Sequence, residues 1–341
     1  MTRSVSISQV DVFTGTPFCG NPAGVVLDAE QLSEEQMRQI AAEMNVAETA
    51  FLAPTARPQA HYRLRWFTPS GKEVKFCGHA TIATVHALTE AGRVRPETPQ
   101  RIVFDTLGGL LPVAVEQRDS IVVWLEPALP TVIAFEESLA PTLKALGLSE
   151  EALAGWATAS LTSERDLLLP IKGLGVLKSL APDFSALKKV GSDLKIRGFC
   201  LTTRETAERE STTHSRFFAP HYGIPEDPVT GSVHASIPVW LWQAGALQPT
   251  NSSSRDKMRA SQGPRKEPAG GVRTCTLRTG DDRERSEAMH IGAVRFQAEQ
   301  GDLIGRPGRL QIELHLSDGQ PACVRVGGSG VTVLTGSILV S

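Results

Sequence analysis

Near the start of the chain, Val5 and Ile7 alternate with Ser4, Ser6 and Ser8, the period of a half-buried strand, and Val10, Val12 and Phe13 continue its apolar content. A turn-rich stretch runs from Gly15 to Gly24. Ser33 with Gln36 three residues later has the form of a capping box, and Met37, Ile40, Ala41 and Met44 then recur at helical spacing. The pattern predicts a helix ending near Asn45. The residues from Val46 to Leu52 are too apolar and too few for anything but a buried strand, with Glu48 inside it. Toward the other end, Val294 to Leu316 and Val324 to Val340 return to strand-like alternation broken by Gly-rich turns.

The chain echoes itself. Arg65-Trp66-Phe67-Thr68-Pro69 is matched 151 residues later by Arg216-Phe217-Phe218-Ala219-Pro220. Gly78-His79-Ala80 through Ala91-Gly92 is matched 153 residues later by Gly231-Ser232-Val233 through Ala244-Gly245. Each copy reads as a strand, a Pro-containing turn, a glycine and a largely apolar helix closed by Ala-Gly, whose glycine suits a left-handed C-cap. Agreement in order, spacing and caps favours duplication over chance likeness. Two similar halves would face each other, each wrapping its central helix in a curled sheet. The helix starts at Gly78 and Gly231 would then offer unpaired N–H groups and positive dipole ends to a substrate carboxylate. The expected boundary divides residues 1–117 from 118–341.

Composition narrows the class. With 341 residues, 41 % hydrophobic and 21 % charged, the chain is an ordinary globular sequence, and it has no apolar run long enough to span a bilayer. Thirty-five Lys and Arg against 37 Asp and Glu give a formal charge of −2, so no global field draws it to nucleic acid or anionic lipid. Five cysteines without CxxC spacing, behind an N-terminus lacking an apolar signal core, suit a reducing, cytoplasmic setting. One region stands apart. Residues 250–288 hold nine Lys/Arg and six Asp/Glu with few aliphatics, the composition of a polar, disordered insertion.

Walker A, HExxH, GxSxG and GxGxxG motifs are all absent, and the histidines form no metal-ligand cluster in sequence. What remains are polar residues at the ends of apolar segments. Glu48, flanked by Val46, Ala47, Ala50, Phe51 and Leu52, should have its pKa raised by desolvation, as a carbon-acid base requires. The plain alternative is a strand-edge glutamate facing solvent. His79 follows Cys77-Gly78 at a helix start and could be a cap. Asp227 precedes the second helix, where an acid could simply serve the dipole.

Five segments in order then resemble the phenazine-biosynthesis (PhzF-like) isomerase family. They are Gly20-Asn21-Pro22-Ala23-Gly24, Asn45 through Phe51, Arg65 through Pro69, Phe76-Cys77-Gly78-His79-Ala80-Thr81, and Glu226-Asp227-Pro228-Val229-Thr230-Gly231-Ser232. The resemblance covers nearly the whole chain apart from 250–288. It implies an α+β, diaminopimelate-epimerase-like fold of two pseudo-symmetric domains, each a curved, mostly antiparallel sheet around a central helix. It further implies that Glu48, His79 and Asp227 are catalytic, with Asn21, Cys77, Gly78, Gly231 and Ser232 around the substrate. A family glutamate moves a proton within one substrate, with neither metal nor organic cofactor. The expected partners are a small carboxylate-bearing substrate and a second copy of the chain, with no nucleic acid and no membrane. Related epimerases use two facing cysteines; here Cys77 has no counterpart, which disfavours two-thiol chemistry. The alternatives are a catalytically inactive interaction protein on the same fold and a racemase or epimerase of a small amino or imino acid.

Overall fold

A computed structural model describes residues 3–97, 100–118, 120–248 and 291–341. The charged segment 250–288, with Cys275, lies outside the described residues. The first half runs β1 (Arg3–Val12), β2 (Asn21–Val26), α1 (Glu34–Met44), β3 (Glu48–Ala53), β4 (Tyr62–Phe67), β5 (Glu73–Val74), α2 (Gly78–Glu90), β6 (Gln100–Thr106), β7 (Gly109–Gln117) and β8 (Ile121–Leu125). The second runs β9 (Val132–Ala134), α3 (Ala140–Leu146), β10 (Ser160–Thr162), β11 (Asp166–Pro170), α4 (Leu174–Ser179), α5 (Phe184–Leu194), β12 (Gly198–Thr203), β13 (Ser211–Ala219), β14 (Ile224–Asp227) and α6 (Gly231–Gln243). Four strands close the chain: β15 (Ile291–Gln300), β16 (Gly308–Ser317), β17 (Gln320–Gly328) and β18 (Gly330–Val340).

The strand pairings carry the internal echo. In the first half β1 pairs antiparallel with β2, β2 parallel with β3, β3 antiparallel with β4, and β4 both antiparallel with β5 and parallel with β6. Antiparallel β6–β7 and β7–β8 pairs complete it. Strands β10 to β17 repeat every one of these pairings, direction included. The repeat extends to the edges. β18 lies antiparallel on β1 as β9 lies on β10, so the last strand returns to the first sheet. A β8–β17 pairing joins the halves, and the position 117/118 falls in the turn between β7 and β8.

Helices α2 and α6 are apolar around their whole circumference, and a helix with no polar face must be wrapped. Val233 to Leu241 are all buried in α6, as are His79 to Leu88 of α2 apart from His86. Buried threonines in α2 satisfy their hydroxyls on the helix itself, Thr81 to Cys77 O at 2.6 Å and Thr84 to Ala80 O at 2.7 Å. Gly92 and Gly245 both take φ +67°, the left-handed geometry expected of each Ala-Gly stop. Smaller helices cover the outer faces: Met37, Ile40 and Ala41 of α1 pack with Phe51 and Phe67, and Leu187 of α5 packs with Phe199 and Phe218. The capping box of α1 is formed, with Gln36 N donating to Ser33 Oγ and Ser33 N to Gln36 Oε1. Among the described residues no helix is long and apolar enough to cross a membrane.

Candidate active site

Glu48 opens β3. Asn45, in the left-handed region at φ +50°, turns the chain out of α1, and three residues later β3 begins with Glu48 opposite Ala23 of β2. The sequence placed this glutamate inside the strand; it stands at its first position, where the side chain reaches the start of α2. Cys77 caps that helix, followed by Gly78 and His79 as its first two residues. His79 Nε2 lies 3.4 Å from Glu48 Oε2, and its Nδ1 lies 3.6 Å from Cys77 Sγ. Carboxylate, thiol and imidazole ligand atoms all fall within 4.8 Å of one another. Donors of these types bind zinc-like ions, so among the described residues this is the group able to hold a metal, through Glu48, Cys77 and His79.

The second helix start is built differently. Asp227 ends β14, and Pro228 keeps it extended ahead of α6 rather than in its first turn. Its Oδ1 accepts from Asn21 Nδ2 at 2.9 Å, and its Oδ2 accepts from Thr230 Oγ1 at 2.6 Å. Asn21 also donates to Val229 O at 2.9 Å, so the first half grips the second at this point. Gln300 of β15 completes the support: its Nε2 donates to Asp227 O at 2.7 Å, and its Oε1 accepts from Thr230 N at 3.1 Å. Ser232, second in α6, accepts from Arg197 Nη2 at 2.9 Å. Asp227 and His79 do not pair in this geometry. Asn21 and Thr230 take the Asp227 oxygens, while His79 faces Glu48 and Cys77. Neither is Asp227 a simple cap, since one of its two partners lies in the other half.

Burial sets the charges. It pushes Glu48 up from 4.5 to about 7, and the nearby Asp227 charge pushes the same way against a hydrogen bond from Cys77. Burial likewise raises Asp227 to about 6, opposed by its bonds from Thr230 and Asn21 and by the Arg197 charge. His79 is pushed down to about 4 by burial and is therefore neutral near pH 7. The Cys77 thiol is driven well above its ordinary value by burial and by the Glu48 charge, so it stays protonated. A carboxyl group that gains and loses its proton near neutrality, beside a neutral imidazole and a neutral thiol, can take a proton from carbon and give it back.

Pseudo-symmetry gives Glu48 no carboxyl counterpart in the second half. Helices α1 and α5, their N-caps Ser33 and Asp183, and their left-handed C-caps Asn45 and Lys195 are all offset by 150 residues. Strand register agrees, for Ala23 is opposite Glu48 as Asp166 is opposite Gly198. The counterpart of Glu48 is thus Gly198. A Cβ there would stand 2.1 Å from the Phe217 ring, so the ring fills the space of a second base. The counterparts of Cys77 and His79 are Thr230 and Ser232, which bring neither thiol nor imidazole. Sequence reasoning missed Arg197 and Gln300. The 150-residue offset, applied beyond the quoted echo, would have aligned Arg197-Gly198 with Ala47-Glu48; Gln300 had no local signal, because it acts from the far side of residues 250–288.

Comparison with known proteins agrees with this architecture. The family model described as "Phenazine biosynthesis-like protein" matches residues 10–287. An uncharacterized isomerase of Pseudomonas aeruginosa is 38 % identical over 247 residues, covering 71 % of this chain and 83 % of that protein. Among solved structures, a PhzF-family phenazine biosynthesis protein of Bacillus anthracis superposes with a TM-score of 0.77 at 23 % identity, covering 99 % of this chain and 100 % of that one. A hydroxyproline epimerase of Agrobacterium vitis shares the fold at a TM-score of 0.52 and 11 % identity, over 99 % of this chain and 93 % of that one.

Proposed function

This chain belongs to the phenazine biosynthesis-like protein family and is an isomerase, and on that premise we propose that it moves a proton within a small carboxylate-bearing substrate by acid–base catalysis at Glu48. The C–H bond breaks toward a Glu48 oxygen, the electron pair spreads over an adjacent allylic or enol system, and Glu48, whose carboxyl proton exchanges with solvent in the meantime, protonates a different carbon. No electrons leave the substrate. The observation that carries this reading is the single, partly buried carboxyl group held near neutral pKa at the start of α2, whose mirror position is a glycine overlain by Phe217.

The neighbours have matching roles in this proposal. His79, neutral and 3.4 Å from Glu48, orients the carboxyl group and accepts or donates a hydrogen bond as its proton comes and goes. Asp227, fixed by Asn21 and Thr230, faces the substrate from the second half and keeps the Glu48 pKa high. Cys77 borders the site as a neutral thiol. Backbone N–H groups at Gly78 and Gly231 receive anionic oxygen.

A racemase of an amino or imino acid is the second reading, favoured by the fold shared with the hydroxyproline epimerase. It needs a second base, and Asp227, with both oxygens hydrogen-bonded, is the one candidate among the described residues. An inactive interaction protein on the same fold would have no use for a glutamate kept near pH 7. A screen of carboxylate metabolites in deuterium oxide, read by NMR for deuterium at carbon, tests the proposal. Exchange accompanied by a shifted double bond supports isomerisation; exchange with inversion alone supports the racemase.

A further inference from the structure

Where the first half places its base, the second half places a cation. Position 198 is glycine, yet the preceding residue, Arg197, reaches the start of α6 and donates from Nη2 to Ser232 Oγ at 2.9 Å. Ser232 is the counterpart of His79, so the Glu48–His79 contact at one helix start is answered by an Arg197–Ser232 contact at the other. The arginine is aimed deliberately by its surroundings. Asp166, fully buried, takes its Nε at 2.8 Å and its Nη2 in a two-pronged pair, which fixes the plane of the guanidinium. The counterparts of Asp166 and Arg197 are Ala23 and Ala47, so this ion pair exists only in the half that lacks a base.

The pair is not closed on itself. Arg197 Nη1 makes no hydrogen bond among the described residues, and the side chain remains 28 % exposed. The Arg197 charge reaches the cleft, where it opposes the burial that raises Asp227; a separate cavity of about 260 Å³ that Arg197 also lines, with Glu164, Lys195, His221 and Tyr222, includes neither Ser232 nor Glu48. A guanidinium needed only to neutralise Asp166 would not have to sit on a helix start with one nitrogen free.

We propose that Arg197, held by Asp166, is an anion receptor that binds the substrate's carboxylate with Ser232 at the start of α6, opposite the base at the start of α2. This rests on the reading of Glu48 as the single base, and it divides the labour of the two halves: one moves the proton, the other holds the charge. Arginine suits the task because its fork matches a carboxylate and never loses its proton.

The test reads binding rather than turnover, so it stays separate from the proton-transfer reading. Benzoate and succinate, each paired with its neutral amide, are titrated calorimetrically into the full chain. The wild type should bind the carboxylates at least about tenfold more tightly than the amides. Removing Arg197 alone would leave Asp166 buried and unpaired, so the variant is the double change Asp166→Asn with Arg197→Gln, in which both charges go. It should lose that preference while Glu48→Gln keeps it. Arg197→Lys, which retains the ion pair but not the fork, should lose affinity several-fold and serves if the double variant does not fold. A wild type that binds amide and acid equally, or either Arg197 variant retaining the full preference, overturns the proposal. Carboxylate preference without deuterium exchange on any compound would sink the proton-transfer reading and leave the receptor standing.

Discussion

A base kept near neutrality by burial should weaken the fold whenever it is charged, and Glu48→Gln exposes that cost without any substrate. Glu48 titrates at about 7 in the folded chain against 4.5 as an ordinary carboxyl, with burial the larger cause and the Asp227 charge the second. A raised folded pKa stabilises the protein fully below pH 4.5, and that contribution is lost as pH climbs toward 7. At about 1.4 kcal/mol per pH unit, the interval corresponds to roughly 3 kcal/mol, an upper figure because the side chain is 17 % exposed and solvent screens part of it. Glutamine has the same volume and no charge to desolvate. The variant should therefore melt several degrees above the wild type at pH 8, and the gain should vanish near pH 4.5. Melting curves of both proteins across that range provide the assay. If the variant is no more stable at pH 8, or its advantage does not depend on pH, Glu48 is not a strained carboxylate and its assignment as the base loses its physical ground.

Three other outcomes follow from the same geometry. Cys77→Ser should keep most of the turnover, since a thiol held above its ordinary pKa is not a nucleophile; a Ser variant as inactive as one lacking Glu48 would restore thiol chemistry. Asp227→Asn should cut turnover by about 10²–10⁴-fold and move the acidic limb of the pH–rate profile lower, because Glu48 loses a like charge; unchanged turnover with an unmoved limb would return Asp227 to a purely structural role. Gly198→Ala should destabilise by at least about 1–3 kcal/mol in denaturant melts, as its Cβ would meet the Phe217 ring at 2.1 Å, and an undiminished midpoint would show that the ring yields freely.

Much of this architecture was legible in local pattern. The Ser33–Gln36 cap, the helix stop at Asn45 and the Ala-Gly ends of α2 and α6 depend on residues within a few positions of one another, and each is formed. The resemblance joined Glu48, His79 and Asp227 through short motifs; the structure brings His79 within 3.4 Å of Glu48 and 3.6 Å of Cys77, a trio that the sequence had not grouped. What escaped was long-range. The return of β18 to β1 spans nearly the whole chain, and no periodicity within a strand specifies its neighbour. The Arg197–Asp166 pair is made by residues 31 apart, and the support of Asp227 by Asn21 and Gln300 crosses 206 and 73 residues. Polar partners of that kind are chosen by the folded geometry of both halves, whereas caps and apolar stripes are chosen by the segment itself.

The central claim is that one carboxyl group carries the proton, and it is tested most directly by Glu48→Gln turnover in deuterium oxide on a carboxylate that the wild type isomerises. The account predicts a folded variant in which both isomerisation and deuterium incorporation fall by at least about 10²-fold, with carboxylate binding retained. Isomerisation by that variant at close to the wild-type rate would contradict it.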